Sequence, residues 1–103
     1  SWTMQNADIA AFNYDTASVN EFRLPSSPYD GQTHYVRNRY NSGGRNLTVK
    51  GHVSNTYPID GASGSVTQIT LAPGSSGIFI FNEDVGMWQI MGAYSAGTDA
   101  NSW

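Results

Sequence analysis

Apolar residues alternate with polar ones along much of this chain in short segments separated by turn residues. The alternation predicts strands, because successive side chains of an extended chain point to opposite faces. Val19–Leu24 is the first such segment, stopped by Pro25 and a loop carrying Ser26, Ser27, Pro28, Asp30 and Gly31. Thr33–Tyr40 is the next, and Arg45–Val53 follows it across Asn41-Ser42-Gly43-Gly44. Paired glycines supply positive φ without steric cost, so Tyr35–Tyr40 and Arg45–Lys50 read as a hairpin. Within the third segment Leu47, Val49 and Gly51 share one face, and Thr48, Lys50 and His52 the other. A loop with Asn55, Tyr57, Pro58 and the turn Asp60-Gly61 leads to Val66–Leu71. Asp-Gly is a strong turn signal, and a positive φ is expected at Gly61. Pro73-Gly74 is another turn, and Asn82–Gly86 separates Ile78–Phe81 from Met87–Met91.

Two stretches depart from this pattern. Ala7–Phe12 is too short for a useful helix and reads as an opening strand or an irregular lead-in. Ile78-Phe79-Ile80-Phe81 is apolar on both faces. A strand that buries one face alternates, so this run needs cover on two sides. In a domain this small the second cover is expected from another chain. The reading is an all-β fold: a small antiparallel β-sandwich or barrel-like domain of six to seven strands. It divides into a lead-in at 1–18 from a longer upstream protein, a β domain at 19–92 and a polar tail at 93–103. The chain opens with Ser1 and is read as a piece of something longer.

Composition supports this reading and narrows the chemistry. Ser, Thr, Asn and Gly supply 40 of the 103 residues, whereas Leu, Met, Lys and Glu supply only nine, which disfavours a helical bundle. With a net charge of −3 and five Lys and Arg, there is no basic footprint for nucleic acid or for an anionic membrane. The chain has no cysteine, so disulfides, thiol chemistry and Cys-ligated zinc are excluded. No apolar run approaches the roughly 20 residues of a membrane span.

Six local signatures in order resemble a known family. They are Phe22-Arg23-Leu24-Pro25; Gly31 followed by Tyr35-Val36-Arg37-Asn38; Asn46-Leu47-Thr48-Val49; Ile59-Asp60-Gly61; Leu71-Ala72-Pro73-Gly74; and Met87-Trp88-Gln89-Ile90. Together they cover about residues 9–92 and resemble the small β domains near the C-termini of bacteriophage tail fibres, tailspikes and related receptor-binding proteins. The loop His52–Pro58 and the tail after Gly92 fall outside that family's pattern. The resemblance implies a homotrimeric β domain of a viral adhesion device, joined to an upstream fibre or baseplate protein, in the virion and facing a bacterial surface polysaccharide.

Catalytic chemistry finds little support. His34 and His52 lie on different expected strands with no carboxylate at a familiar ligand spacing, and read as surface or interface histidines. Glu83 and Asp84 are adjacent, so in extended chain they point apart and make a poor acid–base pair. No nucleophile elbow or phosphate loop is present. The expectation is a non-enzymatic protein with no metal or cofactor. Aromatic rings rimmed by amides and charged groups remain, and these suit saccharides. The candidate ligand-binding residues are Tyr29, Tyr40, Tyr57, Asn55 and Arg39, all in or beside expected loops; Trp88 reads as core. The competing readings are a carbohydrate-binding module of a secreted enzyme and a purely structural trimerisation cap.

Overall fold

The computed structural model describes residues 2–12, 21–39, 46–59 and 67–94, with the backbone alone at 11, 12 and 92–94. Eight strands are present: β1 (Trp2–Thr3), β2 (Ala10–Phe12), β3 (Glu21–Arg23), β4 (Thr33–Arg37), β5 (Leu47–Lys50), β6 (Gln68–Leu71), β7 (Ser76–Asn82) and β8 (Met87–Tyr94). They form two four-stranded sheets, ordered β1-β3-β5-β6 and β2-β4-β7-β8. The fold is all-β, and of the two architectures expected it is the sandwich.

The buried faces of both sheets share one core. Met4, Phe22, Leu24, Leu47, Val49 and Leu71 come from the first sheet and its flanks. Val36, Phe79, Phe81 and Trp88 come from the second, and Ile59 closes the cluster. Each contributing strand shows the alternation that burying one face requires; β7 reads half-buried and buried in strict turn. Three rings run edge-on through the interior, with Tyr57 against Phe81 at 4.8 Å and Phe81 against Trp88 at 5.3 Å between centroids. Asn38, also fully buried, ties the sheets together: its side-chain amide donates to the Leu71 carbonyl at 2.7 Å.

The topology corrects three expectations. First, Tyr35–Tyr40 and Arg45–Lys50 are not a hairpin: β4 pairs with β2 and β7, whereas β5 pairs with β3 and β6 in the opposite sheet. The chain switches sheets at each of its first four connections, so strands two apart in sequence become neighbours. Second, the sheets are therefore mixed. Two crossings restore the chain direction, and β1/β3, β3/β5 and β2/β4 are parallel. Antiparallel pairing holds for β5/β6, β4/β7 and β7/β8. Third, the described residues hold eight strands where about six to seven were expected, because residues 2–12 of the expected lead-in supply an edge strand to each sheet. Ala10–Phe12 is a strand, the first of its two readings, and β8 continues to Tyr94.

The turns behave as their residues dictate. Gly31, Gly74 and Gly86 hold positive φ of 82°, 81° and 64°, where a Cβ is strained. The turns Asn41–Gly44 and Asp60-Gly61, with the φ expected at Gly61, lie outside the described residues.

Among the described residues the Ile78–Phe81 run is packed into the core on one side only. Phe79 and Phe81 face the core, while Ile78 and Ile80 are half-buried on the outer face. There the pairing sets Tyr35, Ile78 and Met91 side by side across β4, β7 and β8, with Ala10 of β2 beside Tyr35. Tyr35 is 48% and Met91 58% exposed. The outer face of the first sheet is different in kind. Glu21 bridges Arg23 at 3.3 Å and Lys50 at 2.8 Å there, flanked by Thr48, Gln68 and Thr70.

Candidate functional site

Two connections between the sheets, residues 4–9 and 24–32, stack at one end of the sandwich with residues 51–58, which leave β5 and reach the second sheet at Ile59. Each crosses from the first sheet as an arch, and the parallel strands beneath bring the arches into register. Backbone bonds hold the stack: Met4 N–H donates to the Arg23 carbonyl and Leu24 N–H to the Lys50 carbonyl, both at 2.8 Å. Side-chain amides reinforce it. Asn6 Nδ2 donates to the Ser27 carbonyl, and Asn55 Nδ2 to the Ser26 carbonyl at 2.9 Å. Gly51 has no room for a side chain, since a Cβ there would sit 3.0 Å from the Tyr57 carbonyl oxygen. The last arch ends at Ile59, which lies parallel beside Trp88, with Trp88 N–H donating to the Pro58 carbonyl.

A buried polar network lies under the first two arches. Gln32 and His34 face inward from β4 and are 2% and 0% exposed. Tyr29 N–H donates to Gln32 Oε1 at 3.0 Å, which fixes the orientation of that amide. Gln32 Nε2 then donates to Asn6 Oδ1 at 3.3 Å and to His34 Nε2 at 2.8 Å. With Nε2 accepting, the His34 proton resides on Nδ1 and is donated to the Asp8 carbonyl. Burial holds the ring's pKa below its ordinary value; the hydrogen bond to Asp8 and the Asp8 charge oppose this more weakly. His34 is thus a neutral structural ring inside the protein, which corrects its reading as a surface or interface histidine.

The structure distributes the candidate ligand-binding residues over both ends of the sandwich. Tyr29 is 64% exposed on the second arch, beside Asp30, whose carboxylate accepts from Glu83 N–H of the β7–β8 turn at 2.9 Å. Asn55 is exposed on the third arch, bonded to the second through Ser26. Tyr57 follows on the same arch, half-buried with its ring against Phe81. Arg39 is exposed beyond the opposite end of β4, after Asn38 has bonded the β6–β7 turn. Tyr40 lies outside the described residues. Tyr29, Asn55 and Tyr57 therefore share the arch end, and Arg39 does not join them.

Sequence reasoning passed over the network and an open cleft of about 260 Å³ beside it. The cleft crosses all three arches: Thr3 to Asn6 from the first, Pro25 to Ser27 from the second and His52 from the third. The network had a signal, because Gln32 and His34 occupy inward positions four and two residues before the inward Val36. The cleft had none, since its parts are far apart in sequence. Among the described residues no group of three or more His, Cys, Asp or Glu is placed to hold a metal ion.

The fold and site together define a two-sheet all-β domain whose parallel first half carries stacked arches. No protein-family model and no curated protein matches the chain. A solved structure of a chaperone–substrate complex contains a similar fold, with a TM-score of 0.60 and 16% identity. The match covers 86% of this chain and 13% of that one, so this chain spans a small part of its length. At that identity the likeness is one of fold.

Proposed function

We propose that the chain is a non-enzymatic domain of a bacteriophage tail fibre or tailspike, which assembles as a homotrimer and adheres to a bacterial surface glycan. The observation that carries the proposal is the outer face of the second sheet. Single exposed apolar side chains are ordinary, but Ala10, Tyr35, Ile78 and Met91 form a row across four strands, backed by Ile80. A second and third copy of the chain would remove that row from water, and a closed symmetric assembly hides such surface fully. The charged face of the first sheet is left to solvent. The arch end, with exposed Tyr29 and its amides and hydroxyls, is the surface offered to the glycan. The same apolar row suits a purely structural trimerisation cap, which differs in having no ligand.

Light scattering coupled to size exclusion tests the assembly. A mass three times that of the 11.2 kDa chain is expected. Ile78→Glu should give a folded chain of single mass, and a wild-type monomer at high micromolar concentration would remove the trimer from the proposal. Adhesion is tested on a glycan array and on whole cells. Binding without turnover supports the receptor-binding role, no binding by a stable trimer favours the cap, and turnover of a bound glycan would sink the non-enzymatic reading.

A further inference from the structure

The cleft across the arches has the chemistry of a small polyol site. Its apolar lining comes from Met4 and Pro25, both buried. Gln5, Ser26, Ser27 and His52 also line it. The Gln5 amide and the two serine hydroxyls have no hydrogen-bond partner among the described residues. His52 Nδ1 accepts from Ser54 N–H at 3.0 Å, so the proton of the neutral ring is on Nε2 and that edge is a donor. Beside Thr3 and Asn6, these four residues thus present an amide and two hydroxyls that donate and accept, and one imidazole N–H.

Among the described residues no carboxylate, ammonium or guanidinium lines the cleft. An anion finds no fixed cation there, and a cation finds no carboxylate. A ligand with alternating hydroxyls around an apolar C–H face matches both the polar and the apolar parts of this lining. The volume lies just below the roughly 300–1,000 Å³ of sites that engulf a drug-sized ligand, which suits one sugar ring with its neighbours in solvent.

The walls are fixed before any ligand arrives. Asn6 is held between Gln32 and the Ser27 carbonyl, Asn55 grips the Ser26 carbonyl, and Thr56 Oγ1 donates to the His52 carbonyl. These bonds set the spacing of the arches and hence of the groups on them.

We infer that this cleft binds a single neutral pyranose residue of a glycan, through Gln5, Ser26, Ser27 and His52. The inference rests on the glycan-adhesion reading and moves the contact from the tyrosines to the cleft. Each site is weak, and three copies in one assembly would raise the effective affinity.

The test uses the full chain labelled with ¹⁵N, titrated with glucose, galactose, mannose, rhamnose and N-acetylglucosamine at tens of millimolar, with glycerol as control. At least one sugar, and not glycerol, should shift the amides of Gln5, Asn6, Ser26 and Ser27 and the ring nitrogens of His52. The double variant Gln5→Ala/His52→Ala should keep the wild-type spectrum elsewhere and bind about tenfold more weakly, as the loss of two hydrogen bonds of ordinary net strength requires. Shifts confined to Tyr29 and Tyr57 overturn the cleft and leave glycan adhesion standing. Whole-cell binding that the double variant retains in full does the same. The absence of both sugar shifts and whole-cell binding removes the adhesion reading together with the cleft.

Discussion

His34 carries a pH dependence that follows from its partners. Its Nε2 accepts from Gln32 and its Nδ1–H goes to the Asp8 carbonyl, so a second proton has no acceptor and sets two donors against each other. The charged ring is favoured in the unfolded chain, where the ordinary value is 6.5, and disfavoured in the folded one. The unfolded state therefore binds more protons below that value, and stability is complete above it and falls as pH drops through it. Urea midpoints between about pH 5 and 8 should show this loss, and His34→Phe should flatten it. Equal slopes in the two proteins would mean that His34 does not set the dependence. Gly51 makes a second prediction at this scale. A Cβ there would meet Thr56 Cγ2 at 2.9 Å, the Tyr57 carbonyl oxygen at 3.0 Å and Thr56 Cα at 3.2 Å. Two of these atoms are backbone, so the arch itself must move. Gly51→Ala should cost about 1–3 kcal/mol, the usual range for overpacking. A thermal melt that stays in place would show that the third arch yields freely.

Among the elements, β7 shows how one strand serves two surfaces. Phe79 and Phe81 fill the core, and Ile78 and Ile80 stand between β4 and β8 on the outer face. Substitutions along it should therefore separate by parity. Phe79→Ala should cost about 3–5 kcal/mol at every protein concentration, because it empties a fully buried site. Ile80→Ser should change the stability of the single chain far less and act on association. Urea unfolding of both variants at low and high concentration checks this, and a core-sized loss in Ile80→Ser at the lowest concentration would refute the assignment. The parallel strands follow from the arches. A tight turn can only return the chain antiparallel, whereas a crossing to the other sheet and back returns it in its original direction. The alternation in Leu47–Lys50 was legible in advance, with Leu47 and Val49 buried as expected. Which strand would lie beside it was not, because burial on one face says nothing about the partner along the edge.

The whole molecule has two outer faces of opposite character, one carrying the Glu21, Arg23 and Lys50 ion pairs and the other the Tyr35–Ile78–Met91 row. If the apolar face joins copies of the chain, folding and assembly are linked by mass action. Tm should then rise with protein concentration from the low to the high micromolar range, and Ile78→Glu should make it independent of concentration. A wild-type Tm that ignores concentration would mean that the row stays exposed in a monomer. The polar face predicts little, since exposed pairs such as Lys50–Glu21 contribute about 0–1 kcal/mol each and weaken with salt.

Local pattern alone determined the strands, several turns and much of the core. Leu47, Val49, Phe79, Phe81 and Trp88 are inside because period-two alternation and large apolar side chains specify a buried face wherever the chain is extended. Gly31, Gly74 and Gly86 turn the chain because positive φ is a property of the residue itself. The tertiary structure decided everything that depends on which segments meet. It sent Thr33–Arg37 and Leu47–Lys50 to different sheets, drew Trp2–Thr3 and Ala10–Phe12 into the edges, and buried His34 against Asp8. It also brought Gln5, Ser26 and His52 to one cleft. Pairing and packing partners lie tens of residues apart, and their choice is set by the joint burial of two sheets, which no short window of sequence contains.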